Sequence, residues 1–219
     1  MTDSRRPLKS RGAGWARALA AGLARTGVRP DVISASSVVF ALAGAAAFWL
    51  SADAGGWCRP ALLIAAALCI QLRLLANLLD GMVAVEHGRG GPLGPVWNEL
   101  PDRIADALFL VGAGYALRHL SPDPGPLLGW LAAVLAVLTA YIRELGRALG
   151  FEADFAGPGA KPHRMAALTA GCLLAAAEPL WRGGPPMLLL TLALIVVLTA
   201  VTVVRRTLRL AARLRAAPV

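Results

Sequence analysis

Six apolar runs, near residues 32–51, 60–80, 99–118, 126–147, 164–181 and 186–204, recur along this 219-residue chain. Each is close to the about 20 residues that a helix needs to cross the hydrocarbon core of a bilayer. Backbone in that medium must satisfy its own hydrogen bonds, which selects helices over open sheet. The reading is therefore an all-α polytopic membrane protein with six transmembrane helices. The breaks between runs carry turn residues, as in Asp53-Ala54-Gly55-Gly56, Ser121 to Pro126, Gly157-Pro158-Gly159 and Gly183-Gly184-Pro185-Pro186. Composition agrees, with 57% hydrophobic and 16% charged residues, a balance too apolar for a soluble domain of this size.

The segment before the first run has a different character. Between residues 5 and 27, Trp15, Leu19 and Leu23 fall at four-residue steps with Ala16 and Ala20 beside them, while Arg11, Arg17 and Arg25 lie elsewhere. That pattern predicts an amphipathic helix on the membrane surface. Residues 1–30 are then a basic tail and surface helix, 31–205 the six-helix membrane domain, and 206–219 a basic cytoplasmic tail. The N-terminus lacks the continuous apolar core of a cleaved signal peptide. The chain carries a formal charge of +9, but its basic residues sit in clusters between apolar runs, not as a stripe on a soluble face. This excludes nucleic acid as the expected partner and favours anionic lipid.

Orientation follows from the same clusters. With the N-terminus inside, the inner segments hold seven, one, four and five Lys or Arg residues, and the outer loops only Arg59, Arg118 and Arg182. The excess on one side predicts that both termini, and the polar hairpin from Gly81 to Asn98, face the cytoplasm. The expected location is a bacterial-type cytoplasmic membrane. The six tryptophans fall mostly near span ends, as interfacial anchors do.

That hairpin and its flanks hold the chemistry. Asn77, Asp80 and Ala84 share one face of the second run, and Asn98, Asp102 and Asp106 share one face of the third. Ionisable groups at membrane depth mark function more often than not. Two antiparallel helices can turn these faces together, and gathered carboxylate and amide oxygens suit a hard cation such as Mg²⁺, which in turn binds phosphate. Gly81 beside Asp80 leaves room for a ligand or a neighbouring helix. Arg73, two turns before Asp80, should meet Asp106, one turn past Asp102, at similar depth, and a buried ion pair is predicted there.

The pattern Asn77-x2-Asp80-Gly81-x2-Ala84-Val85-x8-Gly94-x3-Asn98-x3-Asp102 resembles the CDP-alcohol phosphatidyltransferase signature D-x2-D-G-x2-A-R-x8-G-x3-D-x3-D, with every spacing kept. Arg29-Pro30-Asp31-Val32-Ile33-Ser34 and Tyr141-Ile142-Arg143 with Gly150 extend the likeness along the chain. The resemblance implies displacement of CMP from a CDP-linked lipid, usually CDP-diacylglycerol, by an acceptor alcohol, in phospholipid biosynthesis. It implies two divalent ions, Mg²⁺ or Mn²⁺, between the acidic residues and the diphosphate. By position, Asn77, Asp80, Asn98 and Asp102 occupy metal-ligand places, Asp102 is also the general base, and Gly81, Ala84 and Gly94 line the nucleotide. A homodimer is implied by the family alone.

Three positions depart from the signature: Asn77 and Asn98 replace aspartates, and Val85 replaces arginine. An asparagine offers one neutral carbonyl oxygen where an aspartate offers two charged ones, so one or two ions remain open. Glu86, Glu99 and Asp106 are the nearby acids available to restore a ligand. Beyond the motif, Arg143, Arg147, Lys161 and Arg164 are placed to fork onto phosphate, either of the lipid or of a phosphorylated acceptor. Arg29 is a further lipid-phosphate residue, and His87 and His163 read as solvated loop histidines. The alternative to an enzyme is a non-catalytic member of the same fold that binds a nucleotide-lipid or a partner protein. A small transporter is disfavoured, because the chain has neither duplicated halves nor paired broken helices.

Overall fold

The computed structural model describes residues 13–28, 30–86, 94–181 and 186–216. Arg29, His87, Arg89, the Gly183-Gly184-Pro185 turn and the first 12 residues lie outside the described residues, as do the side chains of Asp31, Val85, Glu86 and Asn98. Seven α-helices account for nearly all of the described chain: α1 Gly14–Arg25, α2 Pro30–Ser51, α3 Cys58–Glu86, α4 Gly94–Tyr115, α5 Gly125–Ala148, α6 Lys161–Ala177 and α7 Met187–Ala216. A short 3-10 turn, Glu178–Leu180, follows α6.

Four of these helices are long and apolar enough to cross a membrane: α2, α3, α5 and α7. The other two expected spans differ for identifiable reasons. Helix α4 carries Glu99, Asp102, Arg103 and Asp106 with Pro101 inside it, and α6 is 17 residues long and opens with Lys161, His163 and Arg164. Both are nevertheless integral to the bundle. Helix α2 packs on α3 and α4, α4 on α5, α5 on α7, α7 on α6, and α6 back on α3. The main core runs through Phe48, Leu63, Ile70, Phe109, Leu110, Met165, Leu168 and Leu192, all essentially inaccessible.

Small residues set the closest approach. Gly114 on α4 faces Gly125 and Gly129 on α5, and a methyl group built at Gly114 would stand 2.6 Å from the Gly125 carbonyl oxygen and 3.0 Å from the Gly129 Cα. Without side chains there, the two helices pack backbone to backbone. Helix α5 ends in a Schellman turn, where Gly150 takes φ +87° while its N–H donates to the Arg147 carbonyl and the Phe151 N–H to that of Gly146, each at 3.0 Å.

Two boundaries lie beyond the apolar runs. Helix α3 continues to Glu86 because Met82 and Val83 are buried against Ala16, Ala20 and Ile33, which also docks α1 on α3. Within α1, Ala16, Ala20 and Ala24 are buried while Trp15 and Leu19 are exposed. Helix α7 does not stop at 205 but runs unbroken to Ala216. Arg206, expected in a solvated tail, is buried and donates to the carbonyls of Thr139 at 2.7 Å and Ala156 at 3.0 Å.

At one end of the bundle, Asp53 in the α2–α3 turn accepts hydrogen bonds from Arg118 and, at 2.8 Å, shares one with His119. The His119 hydrogen bond, followed by the Arg118 charge, holds the Asp53 carboxyl below its ordinary range. The Arg118 guanidinium also lies 4.4 Å over the Trp49 ring. All six tryptophans are exposed, as interfacial anchors require.

Gly114→Ala tests the backbone contact. Helix propensity alone would favour alanine by about 1 kcal/mol, whereas overpacking costs about 1–3 kcal/mol. Because carbonyl oxygen and Cα atoms cannot rotate away as a side chain can, the variant should unfold at lower temperature in detergent micelles than the unaltered protein.

Candidate active site between α3, α4 and α6

The site grows from two helix faces. On α3, one turn separates Asn77 from Asp80; on α4, one turn separates Asp102 from Asp106. The backbones of α3 and α4 make few close approaches to each other, and polar side chains bridge the space between them. Asn77 Nδ2 donates to Asp102 Oδ2 at 3.5 Å. Asp80 is 4% exposed. Its Oδ2 accepts from the Ser34 hydroxyl of α2 at 2.5 Å, and its buried Oδ1 accepts no hydrogen bond from the described residues.

Asp102 is bound on both oxygens. Oδ1 accepts from Arg73 NH2 at 2.8 Å, and Oδ2 accepts from Lys161 Nζ and, at 3.5 Å, from Arg103. Arg73 is wholly buried. The same NH2 lies 3.1 Å from the Asp102 carbonyl and 3.2 Å from Asp106 Oδ1, so the ion pair predicted between Arg73 and Asp106 is present and is shared with Asp102. Asp106 Oδ2 accepts from Arg164 NH2 at 2.8 Å, and Arg164 NH1 donates to the Gly159 carbonyl at 2.6 Å. Lys161, Asp102, Arg73, Asp106 and Arg164 thus form one row of alternating sign. Such alternation is what lets charge persist out of water, since each ion's desolvation is offset by neighbours on either side.

The row also explains an oddity of α6. Its first turn holds Lys161, His163 and Arg164 and no acid, the reverse of what the positive end of a helix dipole prefers. The anions come from α4 instead. Ser34, the Arg73 contact to Asp102 and the Lys161 contact to Asp102 were not expected from the sequence. A basic first turn lacking an acid was the available signal for the last of these.

The remaining expected site residues lie close by. Arg143 NH2 donates to Glu99 Oε2 at 2.5 Å, and its Nε to Glu144 at 2.8 Å. Arg147 donates to Glu144 at 2.9 Å and is largely exposed. Among the described residues, chain neighbours and each helix's own backbone aside, no heavy atom lies within 4 Å of a methyl group built at Gly81 or Gly94, and Ala84 is partly exposed. His163 is exposed, with Nδ1 3.0 Å from the Pro158 carbonyl. Beside Arg143 lies a small, open recess lined by Arg206, Arg209 and Arg213 with Glu152 and Asp154. Among the described residues, no three His, Cys, Asp or Glu side chains cluster as a metal site.

Comparison with known proteins places this geometry. No protein-family model matches the chain. The phosphatidylinositol phosphate synthase of Mycobacterium tuberculosis is 27% identical over 189 residues, covering 86% of this chain and 82% of that protein. The archaetidylinositol phosphate synthase of Aeropyrum pernix is 31% identical over 134 residues, or 61% of each chain. The crystal structure of the M. tuberculosis enzyme with CDP-diacylglycerol bound superposes with a TM-score of 0.75 at 26% identity, covering 90% of this chain and 94% of that one. The chain is a homologue of the phosphatidylinositol phosphate synthases, members of the CDP-alcohol phosphatidyltransferase family. A second structure of the M. tuberculosis protein holds manganese and citrate, with a TM-score of 0.75 at 25% identity.

The shared charge row has a measurable consequence. Arg73→Leu leaves Asp102 and Asp106 short of a buried partner, and removing one member of such a pair costs about 3–5 kcal/mol. Unfolding in detergent micelles should show that loss, and Arg73→Leu combined with Asp106→Asn should recover part of it, since one stranded charge is removed with its partner.

Proposed function

We propose that this protein is an integral membrane phosphotransferase that moves the phosphatidyl group of a CDP-linked lipid onto a phosphorylated alcohol and releases CMP. One observation carries the reading: Asp80 and Asp102 occupy the retained spacing of the signature, on a helix pair with open space at Gly81 and Gly94 and cations on its far side. The relative with CDP-diacylglycerol bound shares that fold over nearly its whole length. Six helices cross the membrane in this reading. Helices α4 and α6 accompany the four apolar spans, with their acidic and basic groups at depth held in mutual pairs. The site and both termini face the cytoplasm, where the basic residues concentrate.

The chemistry is a displacement at phosphorus. The acceptor's hydroxyl oxygen forms a bond to the lipid-bearing phosphorus, the bridge to the CMP phosphate breaks, and Asp102 takes the hydroxyl proton. Lys161 shifts its contact from Asp102 Oδ2 to the diphosphate as substrate arrives, which frees that oxygen as the base. Arg143, with Arg209 and Arg213 across the recess beside it, supplies guanidinium groups for the acceptor's phosphate. Arg164, buried and bonded to Asp106, Gly159 and Thr139, holds the bundle instead.

The residues fit one divalent ion. Asp80 Oδ1 is buried without a hydrogen bond from the described residues and Asn77 lies one turn away, which matches the one or two protein ligands that Mg²⁺ takes alongside substrate phosphates. When bound, Mg²⁺ or Mn²⁺ offsets charge on the diphosphate and on departing CMP. A second reading, a fold-mate that binds CDP-lipid without turnover, is favoured by the engagement of both Asp102 oxygens.

CMP release from CDP-diacylglycerol, measured on purified protein with Mg²⁺ or Mn²⁺ and a panel of free and phosphorylated alcohols, decides between them. Release stimulated by a phosphorylated alcohol, and lowered about 10²–10⁴-fold in Asp102→Asn, as loss of a positioned acid-base group predicts, supports the enzyme. Asp80→Asn should abolish the metal dependence along with the activity. Lipid binding without release for any acceptor would establish the binder.

A further inference from the structure

The geometry points to Lys161 as a built-in cation that replaces one of the two divalent ions expected of this site, so that the protein binds a single ion. This deepens the phosphotransferase reading and rests on it only for the identity of the substrate diphosphate.

The first argument is charge balance. A signature of four aspartates balances two dications, whereas Asn77, Asp80, Asn98 and Asp102 bring two carboxylates and balance one. The second is occupancy. Lys161 Nζ is bonded directly to Asp102 Oδ2, and Arg73 to Oδ1, so the carboxylate that would face a second ion is already neutralised by the chain. Asp80 is the contrasting case. Its side-chain hydrogen-bond partner is the neutral Ser34 hydroxyl, and among the described residues no hydrogen-bond partner reaches its buried Oδ1. Among the described residues, one motif carboxylate is therefore buried without a direct ion pair, and the other is paired on both oxygens.

The third argument is position. Lys161 is the first residue of α6, where the helix's own dipole repels a cation and favours an anion such as a diphosphate. An ammonium there gains from an anion on either side of it, Asp102 at rest and the diphosphate once bound. That is the electrostatic work of a bridging dication, done with half the charge at a site that has lost half its acids.

Counting ions tests this without turnover. Mn²⁺ binding to purified protein in micelles containing CDP-diacylglycerol, followed by electron paramagnetic resonance, should saturate at one ion per chain, and Lys161→Arg should keep that count. Asn98→Asp combined with Lys161→Ala, which returns an acid and removes the internal cation, should raise it to two. Two ions on the unaltered protein overturn the inference, as does a count of one on the double variant when its thermal unfolding and CDP-lipid binding match the unaltered protein. If the double variant does not fold, the unaltered count still decides. One ion without CMP release for any acceptor overturns the enzyme reading and leaves Lys161 in its role; two ions with release does the reverse.

Discussion

A row of five charged side chains, Lys161, Asp102, Arg73, Asp106 and Arg164, ties three helices of this bundle together. Its members come from α3, α4 and α6, and Arg164 reaches on to Thr139 of α5. An apolar contact between helices in lipid gains little over contact with lipid tails, whereas a buried carboxylate without its guanidinium is costly, so these pairs specify which helices must be neighbours. Helix α4 depends on them most. It has too many charges to enter a bilayer alone, and the row converts those charges from a liability into the reason for its position.

The same row prepares the site. Because Arg73 is shared between Asp102 and Asp106, Asp102 is held in one rotamer facing Lys161 and Asn77. Asp80, across the gap, is positioned by Ser34 from α2. A phosphotransfer site needs little covalent help from the protein and much fixed charge around the diphosphate, and fixed charge is what a rigid row of ion pairs supplies. The two asparagines are consistent with that economy: where the chain brings its own cations, fewer acids are needed to hold foreign ones.

Much of this was legible in the residues. Apolar run length predicted the helices, with α4 kept from qualifying as a span by its charges and α6 by its length of 17 residues. Helical periodicity placed Asn77 with Asp80 and Asp102 with Asp106, and antiparallel register put Arg73 level with Asp106. Boundaries were less accessible. The apolar-run reading ended the second helix near Asp80, but Met82 and Val83 extend it to Glu86 because α1 and Ile33 cover them. Arg206 looked like tail until the carbonyls of Thr139 and Ala156 accounted for it. The role assigned to Arg164 shifted for the same reason, since a basic residue at a loop edge reads as available for phosphate until a buried aspartate is found beside it.

What the sequence determined by itself is therefore periodic and local: which segments are helices, which face of each is polar, and which chemistry the spaced oxygens can perform. Those properties depend on residues three or four apart, and no tertiary contact is needed to infer them. Beyond the pair of Arg73 and Asp106, only the tertiary structure decided which cation meets which acid. Lys161 and Asp102 are 59 residues apart, Arg164 and Asp106 58, and Ser34 and Asp80 46. Pairings at such separations follow from the order in which helices pack around one another, which is set by glycine contacts and core volume summed over the whole bundle and is not written in any single stretch of it.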